Sequence, residues 1–182
     1  MRKLKTIEMR RMSPEEYKQS GKMPLTVVLD DVRSAHNVGS VLRSCDAFRV
    51  EKVVFCGITP MPPGAEIHKT ALGAEDSVNW EHSPSAAQAV ASLHAAGYAV
   101  YAVEQCEGSE PLQLLKTEPG GRYAVVFGNE VKGVHQEVVD LCDGCIEIPQ
   151  FGTKHSLNVS VAAGIVLWKF AEQLMMTNGK ER

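Results

Sequence analysis

Residues 123–133, Tyr123-Ala124-Val125-Val126-Phe127-Gly128-Asn129-Glu130-Val131-Lys132-Gly133, place five consecutive apolar residues directly before a loop bracketed by two glycines. A strand with one wet face alternates apolar and polar residues, so an unbroken run of this length reads as a strand buried on both faces. Shorter runs of the same kind recur at Leu25 to Leu29, Val53 to Phe55, Tyr98 to Val103 and Ile146 to Ile148. Helical stripes lie between them: Val38, Val41, Leu42, Cys45 and Phe48, then Ala86, Val90 and Leu93, then Val134, Val138 and Leu141. Strands alternating with helices predict an α/β fold with a mostly parallel sheet and helices on both faces.

Helix punctuation supports the same reading. Ser83 is suited to cap the helix before the Tyr98 run, with Pro84 in its first turn and Gly97 just past its end. A last helix is expected from about Ser156 to Met175, with Leu157, Val161, Ile165, Trp168 and Met175 on one face and further apolar residues beside them. That face can cover the sheet, another subunit, or both. The Pro-rich stretch Thr59 to Gly64 reads as a loop.

With 182 residues and 44% hydrophobic content, the chain suits one domain with a sizeable core, placed at residues 25–182. Residues 1–24 form a basic extension. Within its first 22 residues, Arg2, Lys3, Lys5, Arg10, Arg11, Lys18 and Lys22 stand against Glu8, Glu15 and Glu16, a local charge of +4 in a chain of net charge -3. Such an arm suits either a localised phosphate contact or a solvated terminus. No window approaches the roughly 18 uninterrupted apolar residues of a membrane span, and the first residues lack the apolar region of a secretory signal. The expectation is a cytoplasmic protein without a membrane partner.

Five cysteines, an odd number lying mostly beside apolar residues, read as reduced thiols packed as small hydrophobes. Cys142 and Cys145 form a CxxC without the second pair or spaced histidine that a zinc site needs, and the six histidines are scattered, so no metal is expected. The chain also lacks G-x-x-x-x-G-K-[ST], a G-x-G-x-x-G after the first strand, and the G-x-S-x-G elbow. P-loop, dinucleotide and serine-hydrolase chemistries therefore lose their support.

Ligand sites of open parallel sheets form outside the carboxyl ends of the strands, which directs attention to three loops. In the first, Asn37 is suited to cap a helix, Gly39 permits a close approach, and Arg43 lies about 160° from that helix's apolar stripe. Arg43 is thus either a solvated arginine or a phosphate or ribose contact. In the second, Glu130 serves either as an acceptor for loop amides and helix termini or as a catalytic carboxylate. In the third, Ser156 and Asn158 read as helix caps, yet the approach from Pro149 to His155 is longer than a simple turn requires.

As a set, NVGSVLR at Asn37 to Arg43, FGNEVKG at Phe127 to Gly133, and IPQFGTKHSLNVSVA at Ile148 to Ala162 resemble the three motifs of the SpoU/TrmH family of the SPOUT superfamily. The likeness covers about residues 25–175. Gln150 departs from it, since members often carry an apolar residue such as methionine there. The resemblance implies S-adenosylmethionine-dependent methyl transfer to an RNA ribose 2'-hydroxyl, a C-terminal deep trefoil knot and a homodimer. It implies cofactor contacts at Val103, Glu104, Gly128, Glu130, Ile148, Gln150 and Leu157, and a catalytic set of Arg43, Asn37, Glu130, Ser156 and Asn158. Because the chain has a short basic arm and no room for the N-terminal substrate domain of many ribosomal-RNA members, tRNA is the expected partner. Ribosomal RNA, an inactive RNA-binding domain and a base-methylating SPOUT enzyme are the alternatives.

Overall fold

The computed structural model describes residues 1–176; the last six residues of the expected domain lie outside the described residues. After a 3-10 turn at Thr6–Met9 the chain runs α1 (Pro14–Gln19), β1 (Met23–Asp30), α2 (Ala35–Ala47), β2 (Val50–Cys56), α3 (Ala65–Ala71), α4 (Ala74–Ser77) and β3 (Trp80–Ser83). It continues through α5 (Ala86–Ala95), β4 (Ala99–Val103), β5 (Glu110–Pro111), β6 (Tyr123–Phe127), α6 (Gln136–Val139), β7 (Gly144–Glu147) and α7 (Val159–Ala171), ending in a π turn at Glu172–Met176. The seven strands form one sheet in the order β3-β2-β1-β6-β4-β7-β5, and every pairing is parallel.

The two-residue period of β6 explains why its sequence shows no polar gap. Tyr123, Val125 and Phe127 enter a core shared with α2, α3 and α7, whereas Ala124 and Val126 enter a second core with α5 and α6. Both faces are dry. β1 divides in the same way, Leu25, Val27 and Leu29 facing one core and Val28 the other. The chain starts at β1 in the middle of the sheet, builds β2 and β3 on one side, then crosses to the other. The strand order reverses between β1 and β6, which is where loops of a parallel sheet part to leave a crevice.

α2 packs closely on α3 at Gly39, where the Thr70 hydroxyl donates to the His36 carbonyl at 3.0 Å. A Cβ on Gly39 would stand 2.2 Å from Thr70 Oγ1 and 2.3 Å from the Ile67 carbonyl oxygen, so what approaches this glycine closely is the chain's own α3. The basic arm is not wholly separate either: Tyr17 on α1 is buried in the first core.

Several elements differ from the sequence reading. β3 (Trp-Glu-His-Ser) and the two-residue β5 are additional edge strands; β3 has exposed residues at three of its four positions and so carries no apolar signature. α5 is capped by Ser85, whose hydroxyl accepts from the Gln88 amide, while Ser83 ends β3. α6 has only four residues and Leu141 is exposed, so the Val134/Val138/Leu141 stripe is not one helix face. α7 starts at Val159, three residues later than expected, because Asn158 caps it. Its buried face is Val159, Ala163, Val166, Leu167 and Phe170; Val161, Ile165 and Trp168 are 51%, 39% and 52% exposed. Val159–Met176, with mean hydropathy 1.3, has the length and composition to cross a membrane, but Ala163, Val166, Leu167 and Phe170 are fully enclosed by the core.

Gly39→Val should lower stability by about 1–3 kcal/mol, since the Ile67 carbonyl is backbone and cannot rotate aside. Urea unfolding of wild type and variant measures the difference.

Candidate active site

Four strands, β1, β6, β4 and β7, end at the same edge of the sheet, and the loops that leave them are tied to one another by side chains. Glu130, in the loop after β6, reaches the start of α2. Its Oε2 accepts from the Arg33 amide at 3.0 Å, and its Oε1 accepts from the Ser34 amide at 3.0 Å and from Asn37 Nδ2 at 2.9 Å. Ser34 is the N-cap of α2 and its hydroxyl accepts from the Asn37 amide. Asn37 is therefore not the cap. Its side chain instead links two loops: the amide donates to Glu130, and Oδ1 accepts from Asn158 Nδ2 at 3.1 Å. Asn158 in turn caps α7, accepting from the Ser160 amide at 2.9 Å and from its hydroxyl at 2.6 Å.

A second set of ties shapes the loop after β6. The backbones of Asn129 and Gly133 bond each other in both directions, at 3.0 and 2.9 Å, so the loop closes on itself. A Cβ on Gly128 would come within 2.0 Å of the Gly133 carbonyl carbon, and one on Gly133, at φ +71°, within 2.1 Å of Glu104 Oε2. Both glycines are required by the loop's own packing. Asn129 anchors it, donating to the Asp31 carbonyl at 2.8 Å and accepting from the Val131 and Lys132 amides. Just past β4, Glu104 accepts from the Val134 amide at 3.1 Å. The buried Asp30 at the end of β1 accepts from the His135 amide and pairs with its imidazole Nδ1, at 3.0 and 2.9 Å. Asp31 completes a grouping of metal-ligand type with these two, but the bonds already made to Asp30 serve to pin residues 134–135 to the sheet.

Between these loops lies a cavity of about 1190 Å³. Val103, Glu104, Gly128, Glu130, Ile148, Gln150 and Leu157 all line it, as do Ser156 and Asn158. Glu104, Glu107, Glu130, Glu147 and Asp140 lie around it, against Lys132 and His155. The wall is thus acidic, with an apolar portion supplied by Val103, Ile148 and Leu157, and its field favours a ligand that is part apolar and part cationic. Asn37 does not line the cavity but holds two of its walls together. Arg43 stands apart: six residues beyond Asn37 on α2, or about 9 Å along the axis, it is exposed and makes no hydrogen bond or ion pair among the described residues.

Burial pushes the Glu130 carboxyl upward, but the bonds from Arg33, Asn37 and Ser34 together outweigh it and hold the group below its ordinary value. A carboxylate kept ionised by three donors is a poor proton acceptor. The site can hold and orient; nothing in Glu130 equips it as a free base. The sequence reading missed Ser34 and Asn129. Ser34 did carry a signal, a Ser four residues ahead of Val38, the first residue of the apolar stripe, whereas the partner of Asn129 lies 98 residues away.

Comparison with known proteins follows the same boundaries. The model of the SpoU rRNA Methylase family matches residues 24–168. A tRNA (guanosine(18)-2'-O)-methyltransferase of Thermus thermophilus is 34% identical over 167 residues, covering 91% of this chain and 84% of that protein. A 23S rRNA (guanosine-2'-O-)-methyltransferase of Vibrio cholerae is 34% identical over 152 residues, covering 84% of this chain but only 60% of its own length. Among solved structures, the Aquifex aeolicus TrmH/SpoU tRNA modifying enzyme superposes with a TM-score of 0.78 at 27% identity, over 91% of this chain and 82% of that one. The AdoMet-bound rRNA methyltransferase of Sinorhizobium meliloti gives 0.77 at 26% identity, over 91% and 62%.

Glu130→Gln should be less stable than wild type at neutral pH, by about 1 kcal/mol or less given solvent screening. Because the folded carboxyl lies below its ordinary 4.5, the wild-type advantage is complete above that value and disappears as pH falls through the folded value. Urea unfolding of both proteins between pH 7 and 3 reads the closing gap.

Proposed function

The chain belongs to the SpoU rRNA methylase family, and on that premise we propose that it methylates the ribose of a tRNA, as a homodimer, through the residues gathered at the carboxyl edge of the sheet. It is an RNA ribose 2'-O-methyltransferase that uses S-adenosylmethionine. The observation that carries the site reading is the meeting of all three motif loops through Glu130, Asn37 and Asn158 beside one acidic, partly apolar cavity. That chemistry fits the cofactor, whose sulfonium and ammonium are cationic and whose adenine ring has flat apolar faces.

Val103, Ile148 and Leu157 would hold the apolar portion of the cofactor, with Gly128, Glu130, Glu104 and Gln150 along its polar side. When bound, it supplies a methyl group already activated by positive charge, so the protein's contribution is alignment of the 2'-oxygen. Ser156 and Asn158, both exposed in the cavity's lining, would position the ribose. Arg43, ionised at any ordinary pH, grips the adjoining phosphate and polarises the 2'-hydroxyl, and the proton leaves to water or another side chain.

Arg43 lies away from its own cavity, which favours a second copy supplying it. The exposed stripe Val161, Ile165 and Trp168 lies on α7, the helix packed beside α2, and Trp168 meets Phe48 edge-on with ring centroids 6.1 Å apart. A second copy covering this stripe would lie against the helix that carries Arg43. The third motif loop is consistent with a knotted C-terminus: Gln105 Nε2, past β4, donates to the His155 carbonyl at 2.6 Å. A cytoplasmic setting accords with an RNA substrate. For tRNA, the support is the likeness over 84% of a tRNA enzyme and the basic arm; ribosomal RNA, the substrate of equally similar relatives, is the second reading.

Incubation with labelled S-adenosylmethionine and separated tRNA and ribosomal RNA should label tRNA, in a dinucleotide that resists alkaline cleavage; label confined to ribosomal RNA would overturn the substrate reading. Arg43→Ala should lower turnover by about 10²-fold or more while cofactor affinity stays near wild type, and a variant with full turnover would remove Arg43 from the chemistry. Ile165→Asp with Trp168→Glu should halve the mass seen by light scattering and abolish transfer. Deleting residues 1–12, which removes Arg2, Lys3, Lys5, Arg10 and Arg11 and leaves the buried Tyr17 in place, should weaken RNA binding and flatten its salt dependence.

A further inference from the structure

Methyl transfer makes no use of two thiols in the cavity wall. Cys145 lies on β7 opposite Ala102 of β4, and Cys106 follows the end of β4 by three residues. Their sulfurs are 2.8 Å apart, with the Cys145 S–H donating to Cys106, and both residues line the cavity. All five cysteines are free. A disulfide sets its sulfurs about 2.05 Å apart, so joining these two needs less movement than a rotamer change.

We propose that Cys106 and Cys145 form a reversible, peroxide-sensitive disulfide that alters the wall of the cofactor cavity; its effect on cofactor binding rests on the reading of that cavity given above. The two thiols are not equivalent. Burial, with the bond to Cys106, pushes the Cys145 thiol up to about 12, which keeps it protonated and donating. Cys106, half-buried and accepting that S–H, is the sulfur presented to an oxidant entering the cavity. Its sulfur gives up its proton and attacks hydrogen peroxide, breaking the O–O bond to give a sulfenic acid and hydroxide, which takes up that proton as the first water. The Cys145 sulfur then attacks the sulfenic sulfur, and its proton leaves with the sulfenic oxygen as the second water. In balance, two thiols and one peroxide become one disulfide and two waters.

The bond would act on the segment Glu104 to Gly108, which lines the cavity and is otherwise tied by Glu104 to the Val134 amide and by Gln105 to the His155 carbonyl. Drawing Cys106 against β7 shifts that segment between the two ties. Cys142 packs with Cys145 in the core on the second face and is the competing thiol.

The test treats the full chain with hydrogen peroxide, blocks remaining thiols, and maps cross-linked peptides by mass spectrometry without reducing agent. A Cys106–Cys145 link is expected, removed by dithiothreitol. Calorimetry with S-adenosylmethionine should show affinity lowered about fivefold or more by peroxide and restored on reduction. In Cys106→Ser and Cys145→Ser, each compared before and after peroxide, affinity should not change. Two freely alkylated thiols, a link through Cys142, or an affinity indifferent to the Cys106–Cys145 bond would each overturn the proposal. A reduced protein that binds no S-adenosylmethionine while the link still forms would instead overturn the cavity reading.

Discussion

One carboxylate holds the functional edge of this protein together. Glu130 receives three hydrogen bonds from Arg33, Ser34 and Asn37, and through Asn37 it reaches Asn158 and the cap of the last helix. Its negative charge lies at the amino end of α2, where the helix dipole and unpaired amides favour an anion. Without this bridge, the loops after β1, β6 and β7 would each be a separate excursion from the sheet. With it they form continuous walls.

The bridge also decides what kind of chemistry the edge supports. Carboxylates here are spent on holding backbone: Glu130 on α2, Glu104 on Val134, Asp30 on His135. What remains is a shaped, acidic space with few uncommitted catalytic groups. An enzyme whose donor arrives already activated needs little more than alignment, and rigid alignment is what interlocked loops provide.

The parts of the fold legible in the sequence were those whose burial leaves a mark. β1, β2, β4, β6 and β7 stand at or near the sheet centre, and their apolar runs announce them. β3 escapes because Trp80, Glu81 and His82 are exposed on an edge strand, and β5 because two residues carry no period. α7 is apolar nearly all round, so its periodicity could not choose between the enclosed Ala163/Val166/Phe170 face and the exposed Val161/Ile165/Trp168 stripe. For the site, the rule that ligands gather at strand carboxyl ends located the loops. It could not pair Glu130 with residues 93 to 97 positions earlier, since nothing local in either segment encodes the other. Gly39 was half-read: it is a point of close approach, but to the chain's own α3.

The Asn37–Asn158 bond joins residues 121 positions apart, so the walls close only after the segment carrying Asn158 has been made. During synthesis, the first loop emerges well before this partner and waits for it. A nascent or truncated chain therefore carries the pieces of a binding site without the site. Closure of the walls is thus a late event that depends on the sheet having brought distant segments together.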